Sequence, residues 1–481
     1  LLGSLLGHKP SAEETSPITA KPETGAPPKV KAGLSRPADF PPAPPMAETI
    51  AAPPKPAHVR FALPNGLKVI VVPKPGVPFV SASLELLNGA GLETRAGSAS
   101  LALQLLTKGT ATHSEKELAE ELETYAISLG GSADMDSASV SASCLSEYTP
   151  RALRLLAEVV RTPTFPKDEL DKLRKRTLAS LAISEREPST KADKELRRRL
   201  FGDHFYGRTA TGEPADVEAV TLEDVKDWWA HYAHPDQAVL LFAGDITEAT
   251  ARKLATEVFG DWKSHGPVVD YGPRLPNAEP TRIYLLDQPA AIQSQIRIGQ
   301  RSFKRSDAGY PVAQVVGDYF GGAFSSRLNE VIRVQKGLTY GARGGFSPYR
   351  FEGRFVVSTF SKTESTAAAV SAALSEIDRL RNEPPTDREL SETKAHFAGS
   401  VALRRETPQQ VANELWDAEL YGLPEDHFER TLARAAAVTP AECVALAARL
   451  LDPKKLVIVV VGDASKIRGE LEKIAPVTVL K

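Results

Sequence analysis

One interval constrains this chain more than any other feature. Val220-Thr221, Pro235 and Gly244-Asp245 recur 218 residues later as Val438-Thr439, Pro453 and Gly462-Asp463. The apolar run AVLLFAGD that closes the first series is echoed by LVIVVVGD at the end of the second. A constant offset shared by turn residues, a buried run and a closing Gly-Asp marks a duplicated structural unit. Within each copy, short alternating stretches mix with helical periodicity, which predicts an α+β fold of two homologous domains with antiparallel-rich sheets flanked by helices. The domains fall at 58–264 and 281–481, joined by the Pro- and Gly-rich linker HGPVVDYGPRLPNAEP over 265–280.

The first copy is the easier to read. VRFALPNGLKVIVVPKP places Asn65-Gly66 between two apolar strands, a hairpin signal. A strand is expected from Phe79 to Leu87 and a helix from Gly97 to Leu106. Ser114, with Glu117 three residues on, opens a helix expected over 114–129. Gly130-Gly131 is expected to end it, and SADMDSASVSASCL then alternates as a strand. Helices follow near 150–161 and 167–187.

Charge and length exclude some classes. Lys plus Arg number 59 against 61 Asp plus Glu, a formal charge of −2, without the basic stripe of a nucleic-acid binder. No apolar run is long enough for a transmembrane segment. LLGSLLG resembles the tail of an export-signal core, which points to a bacterial cell envelope address in the periplasm. The Pro-, Ala- and Lys-rich residues up to 57 read as a disordered tether without chemistry of its own. Cys144 and Cys443 read as two small core thiols, with a disulfide between them as the alternative.

Chemistry concentrates in DYFGGAFSSRLNEVIRVQKGLTYGARGGF, residues 318–346. It reads as a helix end, a glycine turn at Gly321-Gly322, a second helix carrying Arg327, and a strand that opens near Tyr340. Arg327 through its fork and Tyr340 through its hydroxyl both offer donors to a peptide carbonyl or carboxylate, if they converge on one cleft. The plainer reading is a surface arginine beside a half-buried strand tyrosine. His231 and His234 in WWAHYAHPD lack a suitably spaced acidic or cysteine partner, and Pro235 ends that helix. His204 in FGDHFYGR reads as structural. No Gly-x-Ser-x-Gly or Walker-type loop occurs.

The run GGAFSSRLNEVIRVQKGLTYG, the Asn-Gly-Leu hairpin, GGSADMDSASVSAS and the two closing Gly-Asp strands resemble the pitrilysin/insulinase family of zinc peptidases, in the subgroup built from two chains of about this size. The resemblance covers nearly everything from residue 59 to 481 and implies half of a clamshell. It further implies that Arg327 and Tyr340 hold the substrate backbone. Family members carry His-x-x-Glu-His on the first long helix, where two imidazoles bind Zn²⁺ and the glutamate activates its water. Here the segment reads GSASLALQLLTKGT, with Ser100, Leu103 and Gln104 at those positions. Ser180 and Leu181 fall where the third ligand is expected, the nearest carboxylates being Glu185 and Glu187. Neither serine, leucine nor glutamine replaces a histidine ligand or a general base.

The expectation is therefore a non-catalytic, substrate-binding subunit of a heterodimeric zinc metallopeptidase. This chain would hold no catalytic residue, metal or cofactor; a homologous partner with the zinc motif would bring the zinc, and peptides would be the substrate. The alternative is an inert structural or peptide-binding scaffold of the same fold, like the core subunits of respiratory complexes that resemble this family.

Overall fold

The computed structural model describes residue 39, residues 56–264 and residues 275–480. Most of the expected tether, and the linker up to residue 274, lie outside the described residues. Both sheets belong to one compact unit, Thr49–Lys481.

The duplication is written into the strand order. The first sheet contains β1 (Val59–Ala62), β2 (Lys68–Pro73), β3 (Phe79–Leu86), β4 (Ser128–Ala133), β5 (Ala138–Leu145) and β6 (Ala238–Gly244), in the order β1-β2-β6-β3-β5-β4. The second contains β7 (Arg282–Asp287), β8 (Gln293–Ser302), β9 (Ala342–Ser347), β10 (Gly353–Lys362), β11 (Val457–Gly462) and β12 (Val477–Leu480), in the order β12-β7-β11-β8-β10-β9. In each sheet the second and third strands of that order, β2 with β6 and β7 with β11, run parallel. The next three pairings are antiparallel in both. Only the far edge differs: β1 runs antiparallel to β2, whereas β12 runs parallel to β7.

Each sheet buries one face under its own helices. Leu84, Val140, Leu240 and Phe242 face a core closed by Leu153, Leu156 and Phe259; Ile296, Ile298, Phe355 and Val357 face a core closed by Val370, Ile377 and Leu446. The opposite faces are covered reciprocally. The helix Pro188–Phe201 of the first half lays Ala192, Leu196 and Leu200 against Tyr284, Val459 and Val461 of the second sheet. The helix Pro408–Tyr421 of the second half lays Val411, Leu415, Trp416 and Leu420 against Ile70, Val72, Val239 and Leu241 of the first. Because each half hides an apolar sheet face beneath a helix of the other, the halves stabilise one another by burial and not merely by tethering.

The hairpin ends also meet. The Tyr206 hydroxyl donates to Asp136 Oδ1 at 2.6 Å, the Arg350 amide donates to Asp136 Oδ2 at 3.2 Å, and Arg350 Nη1 donates to the Leu87 carbonyl at 2.6 Å. Burial raises the Asp136 carboxyl above its ordinary range, against the pull of these donors.

Local expectations hold unevenly. Ser114 caps its helix with the reciprocal Glu117 bond, and Gly66 takes the positive φ of 92° that the hairpin requires. The helix stops at Thr124, however, and Gly130-Gly131 lie inside β4 instead of ending it. The reason is packing: a Cβ on Gly131 would stand 2.8 Å from Leu103 Cδ1, so glycine lets β4 press against the helix Ser98–Leu105. Cys144 and Cys443 are buried free thiols.

Candidate functional site

The helix Asn329–Gln335 and strand β9 are joined by a short turn that fixes the side chains around it. The helix is wide, with the Lys336 amide donating to the Val331 carbonyl five residues back at 3.1 Å, a geometry common at functional sites. Gly337, at φ 61°, releases the chain from it. Asn329 Oδ1 then accepts the Ala342 amide at 2.9 Å, tying the start of the helix to the start of β9. Thr359 Oγ1 donates to the Gly341 carbonyl at 3.0 Å, tying the turn to β10. These two hydrogen bonds anchor the end of the turn that carries Tyr340.

Tyr340 is 80% exposed and borders an open cavity of about 400 Å³. Arg333, Arg297, Arg343, Phe324 and Phe360 also line it. Arg333 lies with its guanidinium 4.5 Å from the centre of the Phe324 ring, which is itself 75% exposed. A cation over an aromatic face is held without consuming its hydrogen-bond donors, which stay available to a carbonyl or carboxylate.

Arg327 and Tyr340 are not brought to this common opening. Arg327 is buried: its Nε donates to Glu389 Oε1 at 2.6 Å, and its Nη2 donates to Glu389 Oε2 at 2.9 Å and to the Pro384 carbonyl at 3.0 Å. Arg327 does not line the Tyr340 cavity, whereas Arg333, seven residues before Tyr340, does. Glu389 sits at the start of the helix Asp387–Arg404 and also accepts the Thr386 amide at 2.7 Å. Burial pushes its carboxyl up, but the Arg327 and Thr386 hydrogen bonds more than reverse this and hold it at about 2. Arg333 stands in the same quoted stretch as Arg327; helix phase relative to the strand entrance, which residue types do not reveal, separates the two.

The positions equivalent to a zinc motif lie on Ser98–Leu105. Leu103 is fully buried, and the Gln104 amide donates to the Ser100 carbonyl at 3.2 Å and to its hydroxyl at 3.3 Å. This donor set does not fit Zn²⁺: one side chain is a hydrocarbon and the other two are neutral oxygens and an amide. Ser180 is exposed and Leu181 half-buried on the helix Lys167–Ser184, while Glu185 pairs with Lys194 at 2.7 Å. Among the described residues, no group of three or more His, Cys, Asp or Glu side chains could hold a metal ion. His204 Nδ1 accepts the Tyr206 amide at 3.1 Å, and burial, reinforced by Arg301, lowers its pKa to about 4. His234 is buried and His231 is exposed. Among the described residues, no single helix is long and apolar enough to cross a membrane.

Two duplicated mixed sheets with exchanged helices thus carry an open arginine- and tyrosine-lined cavity, and a helix stripped of metal ligands. The profile of the insulinase family (peptidase family M16) matches residues 68–212, and that of the peptidase M16 inactive domain matches residues 219–397. A protein of Helicobacter pylori named non-peptidase homolog YmxG is 26% identical over 341 residues, covering 70% of this chain and 77% of that protein. An uncharacterized zinc protease of Streptomyces coelicolor is 22% identical over 401 residues, 82% of this chain and 87% of that protein. The crystal structure of a peptidase M16 inactive domain from Pseudomonas fluorescens superposes with a TM-score of 0.78 at 25% identity, over 84% of this chain and 98% of that one. The chain belongs to the insulinase family, peptidase family M16. Within it, this is an inactive homologue, its zinc-motif positions occupied by residues that cannot serve as ligand or base.

Proposed function

We propose that this protein is the non-catalytic, peptide-holding subunit of a two-chain zinc peptidase. A homologous partner bearing His-x-x-Glu-His supplies the metal, and this chain supplies the surface that keeps an unfolded peptide in place. The observation that carries the reading is an asymmetry: the metal positions hold Ser100, Leu103 and Gln104, while Arg333 and Tyr340 still share one open cavity. Tyr340 offers a hydroxyl and Arg333 a fork of donors to the peptide backbone, whereas Arg327 is committed to Glu389 in the interior. Such positioning bears on rate as well as affinity, because a misplaced substrate forfeits orientation effects worth several kcal/mol. The LLGSLLG segment supports work in the bacterial cell envelope, in the periplasm.

The test is peptide binding by the full chain. A fluorescent unfolded peptide should bind, and Arg333→Ala or Tyr340→Phe should weaken it roughly fivefold or more, the loss of one charge-assisted or neutral hydrogen bond. Unchanged affinity in both variants would refute the assignment. A second reading, an inert scaffold, gains support from the non-peptidase name of the Helicobacter pylori relative; it requires that no peptide bind at this cavity.

A further inference from the structure

The strand register places two further arginines in one row. On β9, β10 and β8, Arg343 stands beside Ser358, and Ser358 beside Arg297. Alternation puts all three on the face away from the core, since Ala342, Val357, Thr359, Ile296 and Ile298 are buried on the other side. Neighbouring strands lie ~4.8 Å apart, so the two arginine Cα atoms stand about 10 Å apart with a serine hydroxyl between them. All three residues line the Tyr340 cavity, and no aspartate or glutamate does.

The two guanidiniums are held differently. Arg297 is buried, and its Nε and Nη2 donate to Asp193 of the exchanged helix at 2.6 and 3.4 Å, which fixes its position and offsets part of its charge. Arg343 is exposed and makes no ion pair among the described residues. Arg333, across the cavity, is stacked on Phe324 and likewise pairs with no carboxylate among the described residues. The opening is therefore lined by three arginines and, among the described residues, by no carboxylate; Asp193, outside the lining, pairs with Arg297. β9 is also the last strand of its sheet, so an extended segment can run alongside it and present a side chain next to Arg343, at the end of the row.

We propose that the Arg343–Ser358–Arg297 row is a carboxylate-binding subsite that makes this chain select acidic peptides. Arg343 closes on the carboxylate as a fork, Ser358 donates its hydroxyl, and Arg297 supplies a fixed positive field from beneath. The carboxylate comes from an aspartate or glutamate side chain, or from the peptide's own C-terminus. The inference rests on the peptide-holding reading and adds a preference to it; gripping of the backbone by Arg333 and Tyr340 would occur without it.

The test uses the full chain and short unfolded peptides labelled with a fluorophore at the N-terminus. One carries a single internal glutamate and a C-terminal amide, the second replaces that glutamate by glutamine, and the third is the glutamine peptide with a free C-terminal carboxylate. Wild-type protein should bind the first or the third roughly fivefold more tightly than the second, the contribution of one solvent-accessible ion pair near its upper limit. Which one does so identifies the side chain or the terminus as the source. Arg343→Gln should abolish the preference while leaving affinity for the neutral peptide and the thermal midpoint unchanged, and Ser358→Ala should reduce it. Equal binding of all three peptides overturns the subsite and leaves the peptide-holding reading intact. A preference that survives Arg343→Gln overturns the assignment to this row. Failure of every peptide to bind overturns both.

Discussion

Replacing Glu389 by glutamine separates the two arginines of the 318–346 stretch most cleanly. Arg327 is buried with a bidentate partner, so removing the partner's charge leaves a guanidinium uncompensated in the interior. A carboxyl held at about 2, against an ordinary 4.5, is worth ~3 kcal/mol at ~1.4 kcal/mol per pH unit. The carboxylate is 29% exposed, and solvent screening reduces this to about 2 kcal/mol. Because the folded-state value is depressed, the stabilisation is fully present above pH 4.5, declines as the pH falls below that, and is lost once the carboxyl protonates near 2. Urea unfolding should therefore show Glu389→Gln less stable than wild type by about 2 kcal/mol at pH 7, with the difference less than half as large at pH 3. Peptide affinity of the folded protein at pH 7 should be unchanged. Equal stability at pH 7, a difference that does not shrink with acid, or a loss of peptide binding without unfolding would refute the structural role assigned to Arg327.

Two other substitutions probe the frame. A Cβ at Gly321 would stand 2.3 Å from the Gly344 amide nitrogen, so Gly321→Ala must displace β9; a lowered thermal midpoint, by the equivalent of about 1–3 kcal/mol, should come with loss of peptide binding. Unchanged stability would mean that the helix end and β9 are less tightly apposed. Glu85 is the opposite case to Glu389: burial raises its carboxyl to about 7, against a smaller opposing effect of the Ser83 hydrogen bond. Its folded-state value lies above the unfolded one, so wild type loses stability as the pH climbs from 4.5 through 7. Glu85→Gln should match wild type near pH 4 and exceed its stability by about 2 kcal/mol at pH 8, read by denaturant titration at both pH values.

The duplication was legible because it left turn residues and apolar strands at a constant offset, and the two strand orders repeat accordingly. The cap at Ser114, the Asn65-Gly66 hairpin and the buried Ala238–Gly244 strand were also legible, since each follows from short-range chemistry. The end of the helix at Thr124 was not: Gly130-Gly131 looks like a helix stop but serves close packing against Leu103, a tertiary contact with no local signature. The exchange of Pro188–Phe201 and Pro408–Tyr421 between sheets was invisible for the same reason. At the site, the motif wording pointed to the turn on which Tyr340 stands exposed beside the cavity. It did not distinguish Arg327, turned inward to Glu389, from Arg333, turned to the cavity, because both stand on one helical stretch and differ only in phase. Arg343 and Arg297 are 46 residues apart, and only the β8-β10-β9 register makes them neighbours in a row.

The central claim is most directly tested by peptidase activity and zinc content, measured first on this chain alone and then on its mixture with a zinc-motif homologue from the same cell. The account predicts no zinc and no turnover for the pure chain. It predicts activity in the mixture that falls when Arg333 and Tyr340 are replaced. Chelator-sensitive hydrolysis by the rigorously pure chain, or a mixture whose activity is indifferent to both substitutions, would contradict it.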